Sequence, residues 1–328
     1  MKEFIIQKNE ENQRFDKYLK KLLPNASTSF LYKMMRKKNI VINKKKATGN
    51  EKLVTGDVVQ IFLSDDTFAK FSMDPVLIQK EYDSLKAINI KQLDIIAENE
   101  EMILLNKPYN MLSQKSTPKD ISANEYLLGY MIQKGELTLE EYMTFHPSVV
   151  NRLDRNTTGL LIFGKTLNSL QELGQQIKDR SIEKYYRAIV AGELKKDIDL
   201  KGYLVKDVHT NKVTYYDEEV EGSDYIETRV RPVESKNGLT LVEILLITGK
   251  THQIRLHLSS IGHPILGDMK YGDEKINKKY YDSHKVTHQL LHAYRLHFPD
   301  GRIYMADVPY IFHKFFEDDV NWFLKNTR

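Results

Sequence analysis

One charged segment of the sequence has the residue types that nucleophilic or acid–base chemistry needs. Residues 151–159 read Asn-Arg-Leu-Asp-Arg-Asn-Thr-Thr-Gly, so Asp154 stands between Arg152 and Arg155. A carboxylate is ionised at neutral pH and can act as a nucleophile or a general base, and an adjacent arginine favours its charged form. On residue types alone, the segment fits equally a surface turn in which Asp154 pairs with an arginine or caps backbone amides.

A second segment matches the expression for a phosphate-binding loop. Residues 159–166 read Gly-Leu-Leu-Ile-Phe-Gly-Lys-Thr. A true phosphate loop uses small, flexible residues so that its backbone N–H groups converge on the anion. Because the four central residues here are bulky and strand-forming, we predict a buried strand and disfavour an enzyme that binds nucleotides.

Histidines suggest a possible metal site, because His284, His288 and His292 recur every four residues and His252 lies close to His257. Three histidines on one helix face could bind zinc. However, no Glu forms a His-Glu-x-x-His pattern with them, and residues 288–298 alternate as a strand does. The chain has no Cys, which excludes thiolate metal sites and disulfides. We expect no metal, and structural or partner-facing roles for the histidines.

Positive charge is concentrated at the N-terminal end of the chain. The 328 residues contain 49 Lys and Arg against 45 Asp and Glu, for a net charge of +4. Residues 1–64 hold 14 basic and 6 acidic side chains, net +8, whereas the rest of the chain holds 35 basic and 39 acidic, net −4. Seven basic residues and no acidic one lie within 33–46, which is typical of a surface that binds a polyanion. They are Lys33, Arg36, Lys37, Lys38, Lys44, Lys45 and Lys46.

The apolar spacing around this basic cluster predicts two helices and a short sheet. Apolar residues at 15, 18, 19 and 22 indicate an amphipathic helix that Pro24 ends. Hydroxyl residues at 27–29 are candidate caps for a second helix through Met34 and Met35, which we expect in the core. Strands are predicted at 40–42 and 58–63, with a turn at 43–44.

These N-terminal residues resemble an S4 RNA-binding domain. The resemblance rests on Arg-Phe-Asp-Lys-Tyr-Leu at 14–19, Leu-Pro-Asn-Ala-Ser-Thr-Ser at 23–29, Ile-Val-Ile-Asn-Lys-Lys-Lys at 40–46 and Leu-Val-Thr-Gly-Asp-Val-Val at 53–59. It implies a module that binds structured RNA, and clustered Lys and Arg suit that role because they contact phosphates.

The rest of the chain resembles the RluA family of pseudouridine synthases. The charged segment 151–159 is similar to the family's catalytic motif. Further matches follow in order, at 184–192 (Lys-Tyr-Tyr-Arg-Ala-Ile-Val-Ala-Gly), 248–257 (Thr-Gly-Lys-Thr-His-Gln-Ile-Arg-Leu-His), 262–268 and 291–298. Together they span most of 93–298. The resemblance implies an isomerase that converts uridine to pseudouridine in RNA without a cofactor.

The resemblance also implies roles for individual residues. Asp154 would be the essential carboxylate, acting as a covalent nucleophile or as a base that leads to a glycal intermediate, and Arg255 would be its partner. Tyr186, rather than Tyr185, would stack on the detached uracil and is a candidate for the final proton removal. Arg152 would fill the gap that an extruded uridine leaves in the RNA.

Further RNA contacts are expected from His252, Gln253 and the seven basic residues at 33–46. Two positions depart from the family pattern: Asn151 stands where His is common, and Lys250 where Arg is common. We expect both departures to alter RNA contacts rather than abolish activity.

The fold expected is α+β. A small S4-like RNA-binding domain at 1–64 and a linker at 65–90 would precede a catalytic domain at 91–328, with a mixed, mainly antiparallel sheet flanked by helices and loops. The N-terminus lacks a signal-peptide core and no apolar run approaches a membrane span, so we expect a cytoplasmic protein with no membrane contact.

The partner expected is RNA, with 23S ribosomal RNA or a ribosomal precursor particle as the favoured one. We expect the protein to be a monomer and not to bind DNA. The family's pairing of S4 and catalytic domains implies ribosomal RNA as the substrate. Two alternatives stay open at this point: the same reaction on transfer RNA, and a non-catalytic RNA-binding or ribosome-assembly factor that keeps the fold.

Overall fold

The computed structural model of the protein describes residues 1–206 and 213–316. These residues form a small N-terminal unit and a larger unit, each with an apolar core of its own. The predicted end of the catalytic domain, at 328, lies outside the described residues. None of the described helices has the length and apolar character needed to cross a membrane.

The N-terminal unit packs two helices against a four-stranded antiparallel sheet. Its elements are β1 (Lys2–Ile5), α1 (Phe15–Leu22), α2 (Thr28–Arg36), β2 (Ile40–Ile42), β3 (Lys45–Lys46) and β4 (Val58–Ile61), with the strands in the order β1-β4-β2-β3. The predicted helices and strands are therefore confirmed. Phe15, Tyr18 and Leu19 of α1 are buried, as are Met34 and Met35 of α2. All seven basic side chains of 33–46 are exposed.

Residues 65–90, predicted as a linker without regular structure, form two helices, α3 (Asp65–Phe71) and α4 (Pro75–Lys86). Phe68 and Phe71 pack against the core of the N-terminal unit. Ile78 and Leu85 are buried in the core of the larger unit. α3 has no fully buried residue and α4 has only these two, and the two helices pack against different cores, which explains why the sequence shows no sustained apolar period here.

The larger unit is built on an eleven-stranded sheet. Its strands are β5 (Ile95–Glu98), β6 (Met102–Lys107), β7 (Ser148–Val149), β8 (Thr158–Gly164), β9 (Glu183–Ala191), β10 (Ile198–Lys206), β11 (Val213–Tyr216), β12 (Asp224–Lys236), β13 (Leu239–Leu246), β14 (Leu291–His297) and β15 (Ile303–Met305). The order is β11-β10-β12-β13-β9-β14-β8-β6-β5, with β15 on β14 and β7 on β8. Among the described pairs only β8 and β14 are parallel, which confirms the predicted mixed, mainly antiparallel sheet.

Six helices accompany this sheet. They are α5 (Ala123–Lys134), α6 (Leu139–Thr144), α7 (Leu167–Lys178), α8 (Gln253–Ser260), α9 (Glu274–His284) and α10 (Tyr310–His313). The fold is therefore α+β, as predicted.

The segment that resembled a phosphate loop is the buried strand β8. All seven of its residues are buried. Lys165, just after the strand, forms ion pairs with Glu98 (2.9 Å) and Glu136 (2.6 Å). Because the lysine is paired within the protein and the preceding backbone belongs to a sheet, the segment has neither of the features that bind a nucleotide phosphate.

A close approach between β8 and β14 requires glycine at position 159. Gly159 has a φ of +109°, and a Cβ atom there would lie 2.2 Å from the carbonyl oxygen of Ala293. No other residue type fits such a backbone conformation and such a contact. The glycine thus keeps the start of β8, directly after the charged loop, against the neighbouring strand.

The histidines that suggested a metal site lie in different surroundings. His292 is buried in β14, where its Nε2 donates to the carbonyl of Ala306 (3.3 Å) and its Nδ1 accepts from the hydroxyl of Thr158 (2.7 Å). His257 is buried in α8, with Nδ1 2.9 Å from the Thr228 hydroxyl. No group of three or more His, Asp or Glu within the described ranges could hold a metal ion.

We predict that the protein loses stability as the pH falls from 7 to 5. Burial lowers the pKa of His292 and of His257 to about 4. In the unfolded chain both imidazoles titrate near the ordinary value of about 6.5, so between these values the unfolded state binds more protons. The expected loss is about 2 kcal/mol for each histidine, measured by urea unfolding at pH 7 and pH 5. His292→Asn should remove one of the two contributions. Equal stability of the wild type at both pH values would contradict the prediction.

Candidate active site

Asp154 lies in the loop between β7 and β8, and hydrogen bonds from Ser113 and Lys107 hold the backbone of this loop. The backbone N–H of Leu153 donates to the Ser113 hydroxyl, which donates in turn to the Leu153 carbonyl, both at 2.9 Å. Lys107 is fully buried, and its ammonium donates to the carbonyl of Arg155 (3.1 Å). These contacts fix the backbone on both sides of Asp154.

The Lys107 ammonium also donates to the carbonyls of Pro108 (3.1 Å) and Met111 (2.8 Å), so it ties the strand end to the charged loop. Burial lowers the pKa of Lys107 to about 7, and the negative charge of Asp154 opposes this shift. In its protonated form, Lys107 adds positive potential near Asp154.

Arg255 joins Asp154 to a second carboxylate. Its Nη1 donates to Oδ2 of Asp154 at 2.9 Å, while Nε and Nη2 donate to the two carboxylate oxygens of Asp268 at 2.6 and 2.8 Å. Asp268 is 1% exposed and also accepts from the backbone N–H groups of Lys270 and Tyr271. The guanidinium is therefore fixed by a two-pronged contact on one side and presents its remaining edge to Asp154.

The charges of this chain of residues support one another. Burial alone would lower the pKa of Arg255, but the hydrogen bonds and charge of Asp268, followed by those of Asp154, raise it above its ordinary value. Burial alone would raise the pKa of Asp268, but Arg255 and two backbone N–H groups lower it. Both groups consequently remain charged through the neutral range.

The N-terminal end of α8 positions two more of the predicted residues. His252 has a left-handed backbone, its Nε2 lies 3.8 Å from Oδ2 of Asp154, and its Nδ1 is 2.8 Å from the hydroxyl of Tyr271. Burial lowers the pKa of His252, with the charge of Asp154 opposing this shift. A neutral imidazole beside the carboxylate can contact a substrate without neutralising Asp154.

Gln253, predicted to contact RNA, also lines the pocket described below, and its side chain is held within the protein. Its side chain is 2% exposed, its amide N–H groups donate to the Glu227 carbonyl and the Thr228 hydroxyl, and its amide oxygen accepts from Thr248 and the Lys250 backbone. These hydrogen bonds fasten the loop before α8 to β12.

Tyr186 comes to the same site from β9, the strand between β13 and β14. Its backbone is paired with Ile244 on one side and Ala293 on the other, and its ring is 5% exposed. Burial, and next the charge of Asp154, raise the pKa of its phenol, which therefore stays protonated at neutral pH. Tyr185 points to the opposite face of the sheet, where its ring lies 4.1 Å from the guanidinium of Arg295.

These residues surround one open pocket. Its lining includes the predicted residues Asp154, Tyr186 and Arg255, together with Arg152 and His252. Apolar walls come from Leu153, Leu246, Ile254 and Leu291. A carboxylate with a fixed arginine, an aromatic ring and an exposed arginine in an apolar pocket is an arrangement for acid–base or nucleophilic chemistry on a flat, polar ring.

The structure separates the predicted site residues into two groups. One group comes together in the pocket, namely Asp154, Tyr186, Arg255, Arg152, His252 and Gln253, whereas the seven basic residues of 33–46 lie on the N-terminal unit. Asn151, one of the two departures, uses its amide oxygen to accept from the backbone N–H of Ile162 (2.8 Å), so it braces the loop against β8.

Sequence reasoning did not assign roles to Asp268, Lys107 and Ser113. Asp268 ends the matched segment 262–268, and Lys107 is a single charged residue at the end of an apolar strand. The sequence therefore marked Asp268 as part of a motif and Lys107 as a charged residue after an apolar strand, but it did not indicate their partners. Their contacts depend on which loops the fold brings together.

A family model described as RNA pseudouridylate synthase matches residues 101–260. The ribosomal large subunit pseudouridine synthase C of Vibrio vulnificus is 30% identical over 299 residues, covering 89% of this chain and 87% of that protein. An uncharacterized RNA pseudouridine synthase of Mycoplasma genitalium is 30% identical over 301 residues, covering 90% of this chain and 88% of that protein.

Solved structures share the fold. Human RNA pseudouridylate synthase domain containing 4 aligns with a TM-score of 0.54 at 20% identity, covering 72% of this chain and 95% of that one. Human RNA pseudouridylate synthase domain containing 1 aligns with a TM-score of 0.52 at 19% identity, covering 68% and 85%.

We predict that Asp268→Asn lowers the free energy of unfolding by about 3 kcal/mol, because it leaves the buried charge of Arg255 without its main partner. The matched control is Asp224→Asn. Asp224 pairs with Lys250 at 2.6 Å on the surface, with the two side chains 60% and 43% exposed, so its loss should change stability by less than about 1 kcal/mol. Urea unfolding followed by circular dichroism measures both. Equal effects of the two substitutions would refute the central role given to Asp268.

Proposed function

The chain belongs to the RNA pseudouridylate synthase family, and on this premise we propose that it converts specific uridines of large-subunit ribosomal RNA to pseudouridine. The support for this substrate is the printed name of several relatives, ribosomal large subunit pseudouridine synthase C, in Vibrio and Rickettsia species. Transfer RNA is the alternative substrate of the same reaction.

The observation that carries the proposal is the contact of Arg255 with Asp154 in a pocket that also contains Tyr186. Isomerisation of uridine breaks the bond between C1′ and N1, turns the base and forms a bond between C1′ and C5. N1 gains a proton and C5 loses one. The atoms balance without an oxidant, a reductant or a phosphate donor.

Asp154 is proposed to supply the carboxylate that starts this sequence. Arg255 donates to this carboxylate at 2.9 Å, and the carboxylate either attacks the substrate covalently or takes a sugar proton and gives a glycal. Both routes need the same ionised group in the same place. The fixed orientation of Arg255 on Asp268 keeps the carboxylate aimed into the pocket, and it does so before substrate binds.

Tyr186 is proposed to stack on the detached uracil and keep it in the pocket while it turns. Because its phenol stays protonated at neutral pH, it serves chiefly as an aromatic surface and hydrogen-bond donor. To remove the C5 proton, it would first have to pass on its own proton. This makes stacking the primary role of Tyr186 in our proposal.

Arg152 is proposed to enter the gap left by the extruded uridine. It is exposed and lines the pocket next to Asp154, so it can reach RNA outside while the target base is inside. Extruding a base from folded RNA costs a few kcal/mol, and a planar guanidinium between the neighbouring bases restores part of the lost stacking.

The N-terminal unit is proposed to be an S4-like domain, within residues 1–64, that grips structured RNA. Its seven exposed cations at 33–46 include two on the last turn of α2 and two in the strand β3. In this proposal the unit supplies affinity through phosphates, and residues 91–328 supply the chemistry. We further propose a monomer that acts in the cytoplasm, where ribosomal RNA is made, and that does not act on DNA.

We predict that Asp154→Asn abolishes turnover, reducing it by at least about 10³-fold, because the amide is neither a nucleophile nor a base of comparable strength. The substrate is unmodified ribosomal RNA transcribed with uridine carrying tritium at C5, and the readout is tritium release followed by mapping of the modified positions. RNA binding should be retained.

The control is Asp199→Asn, an exposed carboxylate on β10 that lies 3.9 Å from Arg229. It should turn over RNA as the wild type does. The proposed function fails if the wild type is inert on both ribosomal and transfer RNA, or if Asp154→Asn remains active. Inert wild type that still binds RNA would favour the non-catalytic alternative.

We predict that replacing Lys44, Lys45 and Lys46 by Gln weakens RNA binding and flattens its dependence on salt. Each lost phosphate contact should reduce the slope of log affinity against log salt by about 0.7 to 0.9. The matched control replaces three exposed lysines of the larger unit, Lys195, Lys196 and Lys236, with the same change in net charge. Equal effects of the two triple variants would show that only net charge matters.

A further inference from the structure

A second cleft lies directly beside the candidate active-site pocket. It has a volume of about 410 Å³ and shares Gly249 and Lys250 with that pocket. Its volume is in the range of pockets that hold small ligands. Nothing in the proposed chemistry of Asp154 uses this cleft.

The lining of this cleft is strongly cationic. Four of its side chains are basic, namely Lys178, Arg180, Lys184 and Lys250, and one is acidic, Asp224. Asp224 is paired with Lys250 at 2.6 Å. The remaining three cations therefore face a cleft in which no lining carboxylate is left to balance them. Such a charge distribution favours an anion.

Lys184 is the unusual member of this set. It is 7% exposed, so more than nine-tenths of it is buried, and neither a hydrogen bond nor an ion pair joins its ammonium to another residue of the described ranges. Burial, and then the like charge of Arg180, lower its pKa. The stem of Lys184 is therefore packed in the protein, while its ammonium, which no described residue pairs, is available to an anion in the cleft.

The position of Lys184 on β9 relates the cleft to the pocket. Lys184 and Tyr186 are two residues apart on one strand, so their side chains leave the same face of the sheet about 7 Å apart. An anion bound by Lys184 would thus lie about 7 Å from a ring bound at Tyr186. A polymer of alternating bases and phosphates has that kind of spacing.

An aromatic side chain completes the cleft. Tyr225 lines it, is 39% exposed, and is held by an edge contact with Tyr203, with ring centroids 5.7 Å apart. Its hydroxyl donates to Glu227 at 3.0 Å, which fixes the ring. An exposed, fixed aromatic ring next to cations is the combination on which nucleic-acid-binding proteins stack an unpaired base.

We propose that this cleft binds the nucleotide adjoining the target uridine, with its phosphodiester at Lys184 and Arg180 and its base on Tyr225. The proposal rests on the proposed function, since it names a second nucleotide of the same RNA. It implies that the enzyme extrudes and holds a short stretch of single strand rather than one isolated base.

The test compares Lys184→Met with Lys236→Met, using an RNA fragment that the wild type modifies. Lys236 is exposed at the far end of β12, about 40 Å along that strand from Asp224. Lys184→Met should bind this RNA about tenfold more weakly, the effect of one lost charge-assisted contact, with a salt slope lower by about 0.7 to 0.9. KM should rise and kcat should stay within about threefold. Lys236→Met should match the wild type.

Thermal stability separates this role from a structural one. Because no residue within 1–206 or 213–316 pairs with the Lys184 ammonium, Lys184→Met should melt at the wild-type temperature or above it, whereas a structural lysine would lower the melting temperature when replaced. Tyr225→Ala provides a second variant, expected to weaken binding with no change in salt slope. Full RNA affinity in a folded Lys184→Met protein would overturn the proposal.

Chemical substitution of the RNA tests the phosphate itself. A neutral methylphosphonate on one side of the target uridine should weaken binding to the wild type but add little to the defect of Lys184→Met. Equal losses for both proteins, at whichever flanking phosphate is replaced, would overturn the proposal. Inorganic phosphate at millimolar concentration should not abolish the difference between the wild type and Lys184→Met, since the cleft is assigned to a phosphodiester within a chain.

Failure of this proposal differs from failure of the proposed function. If wild type modifies the fragment and Lys184→Met binds it equally well, only the cleft assignment fails. If the wild type modifies no RNA, the enzymatic function fails, while the affinities of wild type, Lys184→Met and Lys236→Met for a ribosomal RNA fragment that the wild type binds still decide whether this cleft contacts RNA.

Discussion

The structure depends on one arginine held between two carboxylates. Arg255 gives two of its donors to the buried Asp268 and one to the half-buried Asp154. Asp268 is fastened in turn by backbone N–H groups, so the orientation of the pair is set by the loop between α8 and α9 rather than by long flexible side chains. The carboxylate that faces the pocket is thereby fixed in direction, and this arrangement requires a second, buried carboxylate.

This arrangement brings together three parts of the chain that are far apart in sequence. The loop before β8 brings Asp154, the middle of β9 brings Tyr186, and α8 brings Arg255. The central order β13-β9-β14-β8 makes their meeting possible, because β14 joins the strand of the tyrosine to the strand that follows the aspartate. Gly159 lets β8 approach β14 closely at the point where the charged loop ends. Catalytic position and sheet packing are thus set by the same few residues.

The sequence was most informative where a local pattern determines the outcome. The 3.6-residue spacing of Phe15, Tyr18 and Leu19 predicted α1, and the bulky residues of 160–163 predicted a strand in place of a phosphate loop. The resemblance of residues 184–188 to the family's Lys-x-Tyr-x-Ala motif indicated which of two adjacent tyrosines enters the pocket. Non-local features were not predictable in this way. The helices at 65–86 are stabilised by packing on two separate cores, and the roles of Asp268, Lys107 and Gln253 follow from loops that meet only in the folded chain.

Strand β9 has different neighbours on its two faces. Tyr186 faces the pocket, while Tyr185 and Arg187 face a second core, where the Arg187 guanidinium lies 4.8 Å from the ring of Tyr294. Side chains alternate along a strand, so a shift of one residue in the register of β9 would place Arg187 or Tyr185 beside Asp154. The same shift would move Tyr186 to the opposite face of the sheet. Insertions and deletions between β8 and β9 are therefore compatible with the site only if changes in α7 and the adjoining turns leave the register of β9 unchanged. We therefore expect related proteins to keep the pairing register of β9 in the sheet even where its individual residues differ.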